Sequence, residues 1–280
     1  MKQTFLLFFF SICMFSQNKT ELFNSNRLGE AREITISLPA SYENNPTKKY
    51  PILVLLDGNY LFDPFYGALR YGAYWDDLPE TIIIGINQKN SRSNDCQYDD
   101  TEGLPTAKGA AFFEFIGGEL VPYIEKKYRT APFRIIAGHD TTAGFLNFFL
   151  YKENPLFNAY ISLSPEMAPE METRIPEKLS KLKKPVFYYQ ASADGDIKQL
   201  RETIKELDQN LKSISNPLVD YKYDEFKDTS HYSLILHAIP NALYQIFDSY
   251  KPISSAEFSE KIVVLQEGYV DYLIKKYALL

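Results

Sequence analysis

The sequence predicts an α/β fold: a mostly parallel central sheet with helices on both faces. Two apolar runs, residues 50–56 and 81–86, are typical of strands that are buried on both faces of a sheet. Segments with helical spacing of apolar residues lie between such runs, and this alternation is typical of parallel sheets covered by helices. About 260 residues are enough for one large domain of this class with a well-buried core.

The individual elements follow in order along the chain. Residues 33–38 alternate polar and apolar side chains, which predicts a half-buried strand. Pro39 and the Asn-Asn-Pro cluster at 44–46 then predict a turn. Residues 107–127 place Phe112, Phe115, Ile116, Leu120 and Ile124 on one face of a helix. Further strands are predicted at 133–137, 159–164 and 185–190, and further helices at 143–150, 197–211, 234–247 and from about 254 to the C-terminus.

The first sixteen residues have the pattern of a secretory signal peptide. Lys2 gives a positive start, residues 4–15 are almost wholly apolar, and Ser16 is a small residue suited to cleavage. The apolar run is shorter than the about 20 residues that a membrane span needs. Cys13 does not indicate a lipid anchor, because Ile12 is a poor residue before a lipidated cysteine. We therefore expect an exported protein, periplasmic or extracellular, with its α/β domain at 17–250 and a helical extension at 251–280.

Composition narrows the class of partner. The net charge of −6 is spread without any basic block, which argues against a nucleic-acid partner. Only Cys96 remains after removal of the leader, so no disulfide can form within one chain. The 21 Tyr and 20 Phe favour a thick aromatic core, with a sugar- or aromatic-binding surface as the second interpretation. The sequence leaves the oligomeric state open.

The chemistry of the chain centres on residues 138–142, Gly-His-Asp-Thr-Thr. They lie between a predicted strand and a predicted helix, the layout of the nucleophile elbow G-x-S-x-G. Asp140 stands at the serine position and Thr142 at the position of the second glycine. Asp tolerates the positive φ of an elbow, whereas Thr142 predicts a modest local shift, because that glycine normally lets the helix approach the strand.

Four further motifs flank the elbow in order. They are Tyr-Pro to Asp-Gly at 50–58, Glu-Leu-Val-Pro-Tyr-Ile-Glu at 119–125 with Tyr-Arg-Thr at 128–130, Ala-Gly-His at 137–139, and Pro-Leu-Phe at 155–157 with Ile-Ser-Leu-Ser-Pro at 161–165. From Glu33 to Ser249 the chain thereby resembles the putative esterase family of α/β hydrolases, which includes esterase D-like and enterochelin-esterase-like enzymes. It departs from the family's G-H-S-x-G-G elbow, and Glu166-Met167 replaces an aromatic pair after Ser-Pro.

The resemblance implies an α/β-hydrolase fold and a small-molecule carboxylic ester as ligand, without a cofactor or a metal. It places His231, in a loop before a helix, as the general base. The acid is expected in the loop after residues 187–189, where Asp194 is preferred by position over Asp196. Helix capping by Asp196 is the alternative structural role.

The same resemblance assigns an oxyanion hole. One N–H would come from Asn59, in the Asp-Gly-Asn turn at 57–59, and the other from Thr141, directly after the nucleophile position. A simple Asp-Gly turn is the structural alternative at the first of these places.

Three functions are compatible with Asp140 at the elbow. A carboxylate is a poor nucleophile for acyl transfer, because its attack on an ester gives an anhydride. The chain is therefore an esterase-like hydrolase with an altered nucleophile position, an inactive homologue that binds a ligand, or a hydrolase that uses Asp140 at saturated carbon with His231 activating water. We expect weak or absent hydrolysis of simple esters, and the His231 ring within about 5 Å of the Asp140 carboxylate.

Overall fold

The computed structural model describes residues 18–266 and 268–277, so the predicted signal peptide lies outside the described residues. Its eight strands form one sheet in the order β1-β2-β4-β3-β5-β6-β7-β8. The strands are β1 (Asn18–Ser25), β2 (Glu30–Ser37), β3 (Tyr50–Leu55), β4 (Ile82–Ile86), β5 (Thr130–His139), β6 (Ala159–Leu163), β7 (Val186–Gly195) and β8 (Val219–Ser230).

The sheet is parallel from β4 through to β8, and only β1 and β2 run antiparallel to their neighbours. The predicted fold class, a mostly parallel sheet between helices, is therefore confirmed. Because the parallel strands all end at one edge of the sheet, the residues that follow β3, β5, β6 and β7 lie close together at that edge.

The helices follow the predicted alternation with the strands. They are α1 (Gly58–Tyr74), α2 (Arg92–Asp95), α3 (Ala107–Glu114), α4 (Val121–Lys127), α5 (Thr141–Phe145), α6 (Met171–Ser180), α7 (Lys198–Lys212), α8 (Leu234–Ile246), α9 (Ser255–Phe258) and α10 (Tyr269–Tyr277). A π-helical stretch, Phe115–Leu120, joins α3 to α4, so the predicted helix at 107–127 is continuous. The helix after the elbow tightens into a 3-10 helix over Leu146–Tyr151. No helix of the described chain is long and apolar enough to cross a membrane.

The core has two layers, one on each face of the sheet. On one face α3, α4, α6 and α7 pack against the strands, and the predicted apolar stripe of α3 and α4 is fully buried. On the other face α1 and α8 cover the sheet. Tyr160, Tyr188 and Phe157 are buried in the first layer, which agrees with the interpretation of the aromatic residues as core.

The C-terminal segment is helical, as predicted. Ser254 caps α9 through a capping box with Glu257. Glu257 also accepts hydrogen bonds from Tyr272 and, at 2.6 Å, from Lys276, and these contacts join α9 to α10. Helix α10 contacts the 3-10 turn Asp248–Tyr250, which connects the segment to the end of α8.

Candidate active site

The turn between β5 and α5 has the geometry of an elbow. Asp140 adopts φ 58° and ψ −122°, and the strand ends at His139 while the helix begins at Thr141. The Asp140 backbone is fixed on both sides: its N–H donates to the carbonyl of Leu163 at 2.9 Å, and its carbonyl accepts from the N–H of Gly144 and of Glu166. The prediction that Asp140 lies at a strand-to-helix turn is confirmed.

Thr142 is accommodated at the second-glycine position by hydrogen bonds of its hydroxyl. The side chain is fully buried, its Oγ1 donates to Asp57 Oδ2 at 2.7 Å, and it accepts the N–H of His139 at 3.0 Å. The close approach that needs a glycine lies instead at Gly144, where a Cβ would lie 1.7 Å from the carbonyl oxygen of Glu166. The elbow is thus built around a glycine two residues later than in the motif.

His231 is held by a buried carboxylate. Its Nδ1 donates to Asp196 Oδ1 at 2.7 Å. The other oxygen of Asp196 accepts hydrogen bonds from Ser164 Oγ and from the Ala193 N–H, both at 2.8 Å. Burial raises the pKa of the Asp196 carboxyl, but these hydrogen bonds outweigh it and bring the pKa below its ordinary value. The arrangement is that of the acid and histidine of a hydrolase triad.

The preference for Asp194 as the acid is wrong. Its carboxylate accepts the backbone N–H groups of Asp228 at 2.8 Å and Thr229 at 3.1 Å, and so fixes the end of β8. The pairing of β7 with β8 shifts register between Ala193 and Gly195, and this irregularity separates the two nearby carboxylates. Asp196 therefore faces His231, while Asp194 binds the backbone at the end of strand β8.

Asp140 lies between the side chains of Arg92 and His231. His231 Nε2 is 3.8 Å from Asp140 Oδ1, which confirms the predicted distance, and Arg92 Nη1 is 3.2 Å from Asp140 Oδ2. Arg92 also donates from Nε to Asp57 Oδ1 at 2.9 Å and from Nη2 to the carbonyl of His139 at 2.7 Å. These contacts form a continuous row of side chains across the site: Asp57, Arg92, Asp140, His231 and Asp196.

The surroundings of His231 and His139 shift their pKa values in opposite directions. The hydrogen bond to Asp196, helped by the charge of Asp140, raises the pKa of His231, although burial and Arg92 oppose the rise. Burial lowers the pKa of His139 to about 4, so this ring is neutral at pH 7. Its Nε2 lies 3.0 Å from the carbonyl oxygen of His231, and its Nδ1 lies 3.1 Å from the hydroxyl of Tyr60. His139 therefore supports the loop that carries His231.

The two residues predicted for the oxyanion hole lie at helix N-termini. Asn59 is the second residue of α1, with its Oδ1 accepting the N–H of Gln88 at 3.2 Å. Thr141 is the first residue of α5, and its hydroxyl donates to Glu166 Oε2 at 2.8 Å. Arg92 Nη1 lies 3.4 Å from the Thr141 hydroxyl oxygen, so a guanidinium borders this place. The role of both backbone N–H groups stays a prediction.

Sequence reasoning missed Arg92 and the carboxylate of Asp57. The Asp-Gly turn after β3 points to Asp57, which is 1% exposed, but the motif suggested only a backbone role. Nothing in the four-residue helix α2 marks Arg92 in the sequence. Within residues 18–266 and 268–277, no group of three or more His, Cys, Asp or Glu side chains is arranged to hold a metal ion.

Comparisons with known proteins identify the family of the chain. The family model described as putative esterase matches residues 25–235. The chain belongs to the putative esterase family. A solved structure of an uncharacterised protein from Capnocytophaga ochracea is 30% identical, with a TM-score of 0.86 over 94% of this chain and 72% of that chain. No curated protein matches the chain.

More distant structures share the fold of this esterase-family chain. An IroE-like serine hydrolase from Shewanella oneidensis is 21% identical, with a TM-score of 0.74 over 92% of this chain and 88% of its own. The ferric enterobactin esterase from Salmonella typhimurium is 16% identical, with a TM-score of 0.60 over 84% of this chain and 59% of its own. These neighbours establish an α/β-hydrolase fold.

Proposed function

We propose that this esterase-family protein binds a small-molecule carboxylic ester above its elbow and does not cleave it through an acyl-enzyme. The observation that carries the proposal is the position of Asp140, 3.2 Å from Arg92 and 3.8 Å from His231. A carboxylate paired with a guanidinium is a weak nucleophile, and its attack on an ester would give an anhydride. His231 Nε2 faces this carboxylate instead of a hydroxyl, so it has no proton to remove for acyl transfer.

The polar groups around Asp140 support ligand binding. The side chains of Arg92, Asp140 and His231 are each 21–28% exposed, so a ligand in the solvent can reach all three. The Arg92 guanidinium and the imidazole of His231 are donors for an ester carbonyl, while the ring of Tyr232 is 75% exposed beside His231. An exposed aromatic ring next to such donors suits a ligand with both apolar and polar parts.

The test combines binding and turnover. Short-chain ethyl esters are added to the protein while the ring signals of its three histidines are followed by NMR. We expect saturable shifts at His231 and none at His237, which lies on α8 against Phe226 and serves as an internal control. No alcohol should be released above the buffer rate. Release of alcohol, or the absence of a saturable shift across the series, would contradict the proposal.

Alkyl transfer to Asp140 is a second candidate, favoured by the alignment of Asp140, His231 and Asp196. In this reaction a carboxylate oxygen of Asp140 displaces a leaving group from saturated carbon, and His231 then activates water to cleave the alkyl ester. The His231→Ala variant should accumulate that ester when treated with alkyl halides or epoxides. Mass spectrometry of the elbow peptide detects it, and an unmodified Asp140 would refute this candidate.

We also propose export, which rests on the leader-like pattern of residues 1–16. Expression of the full chain in a Gram-negative host should give a mature protein that begins at residue 17, outside the cytoplasm. Mass spectrometry of the fractionated protein measures the N-terminus, and an uncleaved cytoplasmic product would contradict the proposal.

A further inference from the structure

A second group of charged side chains is buried next to the segment that carries Arg92. Arg32 on β2 donates from Nη1 and Nη2 to the two oxygens of Asp95 on α2, at 2.6 and 3.0 Å. Both residues are buried, with 4% and 2% of their surface exposed. Arg32 also binds the more exposed Glu30 through Nη2 at 2.7 Å. The pair has the bidentate geometry that fixes both partners in direction as well as distance.

Asp95 connects this pair to the segment that carries Arg92. Its Oδ2 also accepts from Ser91 Oγ at 2.7 Å and from Gln88 Nε2 at 3.1 Å. The fully buried Gln88 continues the connection, because its Oε1 accepts the N–H of Asp57 at 2.9 Å. We call these four residues, Arg32, Gln88, Ser91 and Asp95, the Asp95 cluster. The cluster contacts both the segment that carries Arg92 and the backbone of Asp57, the residue that Arg92 binds.

Stability alone does not account for such a cluster. A buried ion pair is often no more stable than two apolar side chains of similar volume, because both charges lose their hydration. Helix α2 has only four residues, and a helix of this length does not hold its own geometry. The position of the Arg92 backbone therefore depends on contacts between α2 and the rest of the fold, and the bond from Arg32 on β2 to Asp95 is one of them, beside the packing of α3 on α2.

We propose that Arg32 and Asp95 are positioning residues of the site, which hold α2 so that the Arg92 guanidinium stays between Asp57 and Asp140. The importance of this position for ligand binding rests on the proposed function. The positioning of Arg92 by Arg32 and Asp95 does not depend on the proposed function, and it can be measured separately through the pKa of His231.

The readout is the pKa of His231, measured by NMR titration of its ring signals. Asp196, Asp140 and Arg92 are the charged groups that act on this ring, and the neutral His139 and the ring of Tyr232 lie against it. If the Arg92 guanidinium moves away from Asp140, its positive charge no longer opposes the effect of the Asp140 carboxylate on His231. The pKa of His231 therefore rises. A merely structural role of the pair would not change this value.

The experiment replaces the pair by apolar side chains in an Arg32→Met/Asp95→Leu variant. We expect a folded protein in which the pKa of His231 rises by roughly half a unit to one unit, towards its value in an Arg92→Met variant. The matched control is Arg134→Met/Glu125→Leu, which removes an Arg–Glu pair of 2.6 Å in a different part of the fold and should leave the His231 pKa unchanged.

Two results would overturn the inference: a folded double variant with the wild-type His231 pKa, or an equal rise in the control. If the double variant does not fold, Ser91→Ala removes one hydrogen bond to Asp95 and should raise the same pKa by a smaller amount. No rise in that variant also overturns the inference. Failure of the wild-type protein to bind esters would refute the proposed function and leave this titration valid.

Discussion

The two halves of the site match the residues of a hydrolase triad to different degrees. The histidine half, His231 with Asp196, keeps the 2.7 Å contact and the buried carboxylate that a triad requires. The elbow half keeps the backbone turn, but Asp140 stands at the serine position and Arg92 contacts its carboxylate at 3.2 Å. The histidine half is supported by its own contacts, from Ser164 and Ala193, and so its geometry does not depend on the residue at the elbow.

The comparison shows that an intact acid and histidine do not establish activity. His231 lies between the carboxylates of Asp196 and Asp140, and its pKa is raised. Under the proposed function, the limit lies at the elbow, because the Asp140 carboxylate offers His231 no hydroxyl proton to remove. The following substitutions separate the two halves, from the largest expected effect to the smallest.

Gly144→Ala tests whether the elbow half is built around this glycine. The new Cβ would lie 1.7 Å from the Glu166 carbonyl, an overlap that backbone movement must relieve. We expect the free energy of unfolding to fall by on the order of 4 kcal/mol, measured by chemical denaturation. Gly67→Ala on α1, where a Cβ meets nothing within 4 Å, is the control and should be neutral or slightly stabilising. Equal stability of the two variants would contradict the account.

His139→Gln tests the support below the histidine half. His139 has a folded-state pKa of about 4 against an ordinary 6.5, so between these values the unfolded chain binds the extra proton. The free energy of unfolding should therefore fall as the pH drops from about 6.5 to 4, by about 3 kcal/mol from this group. Denaturation at pH 7, 5.5 and 4 should show a smaller acid loss in the variant. The same loss in both proteins would contradict the burial of a neutral His139.

Thr142→Val tests the hydroxyl that replaces the elbow glycine. Val keeps the shape but removes one donor to the Asp57 carboxylate, which keeps those of Arg92 and Tyr60, and leaves the His139 N–H without its Thr142 acceptor. We expect a loss of about 2 kcal/mol in the free energy of unfolding, because both groups are buried. Thr142→Ser keeps the hydroxyl and should lose clearly less. Thermal and chemical unfolding measure the stability of the two variants. A Thr142→Val variant as stable as Thr142→Ser would show that the hydroxyl is dispensable.

Asp196→Asn and Asp194→Asn form the smallest and most local test. Removal of the Asp196 charge should lower the pKa of His231 by about one unit, because the hydrogen bond to Asp196 is the largest cause of its raised value. Asp194→Asn should leave that pKa unchanged, since Asp194 binds backbone N–H groups of β8. NMR titration of His231 measures both, and the reverse ranking would restore Asp194 as the acid.

Much of the fold could be predicted because buried strands have a simple pattern. The apolar runs of β3 and β4 and the helical stripe at 107–127 were sufficient for the fold class. Strand β1 was missed because its exposed, polar residues lie at the sheet edge, and β8 because charged residues interrupt its aromatic ones. Both strands depend on pairing with a neighbour, which local sequence does not show.

The site was predictable where a motif fixes the position and not where tertiary structure does. Asp140 and His231 follow from the elbow and from chain order. The choice between Asp194 and Asp196 depended on a register shift between β7 and β8. Arg92 reaches Asp140 across 48 residues of sequence, from a short helix that a buried ion pair holds in place. Neither feature leaves a local pattern.

The central claim is that the elbow carboxylate, and not the histidine half, blocks ester cleavage. The most direct measurement is p-nitrophenyl ester hydrolysis by the wild type, Asp140→Ser and Asp140→Ser/His231→Ala, each with folding verified by thermal unfolding. Loss of an elbow serine typically lowers turnover about a million-fold. We predict background rates for the wild type, a gain of at least roughly a hundredfold for Asp140→Ser, and a return to background for the double variant. Brisk wild-type turnover, or no gain in a folded Asp140→Ser variant, would contradict the claim.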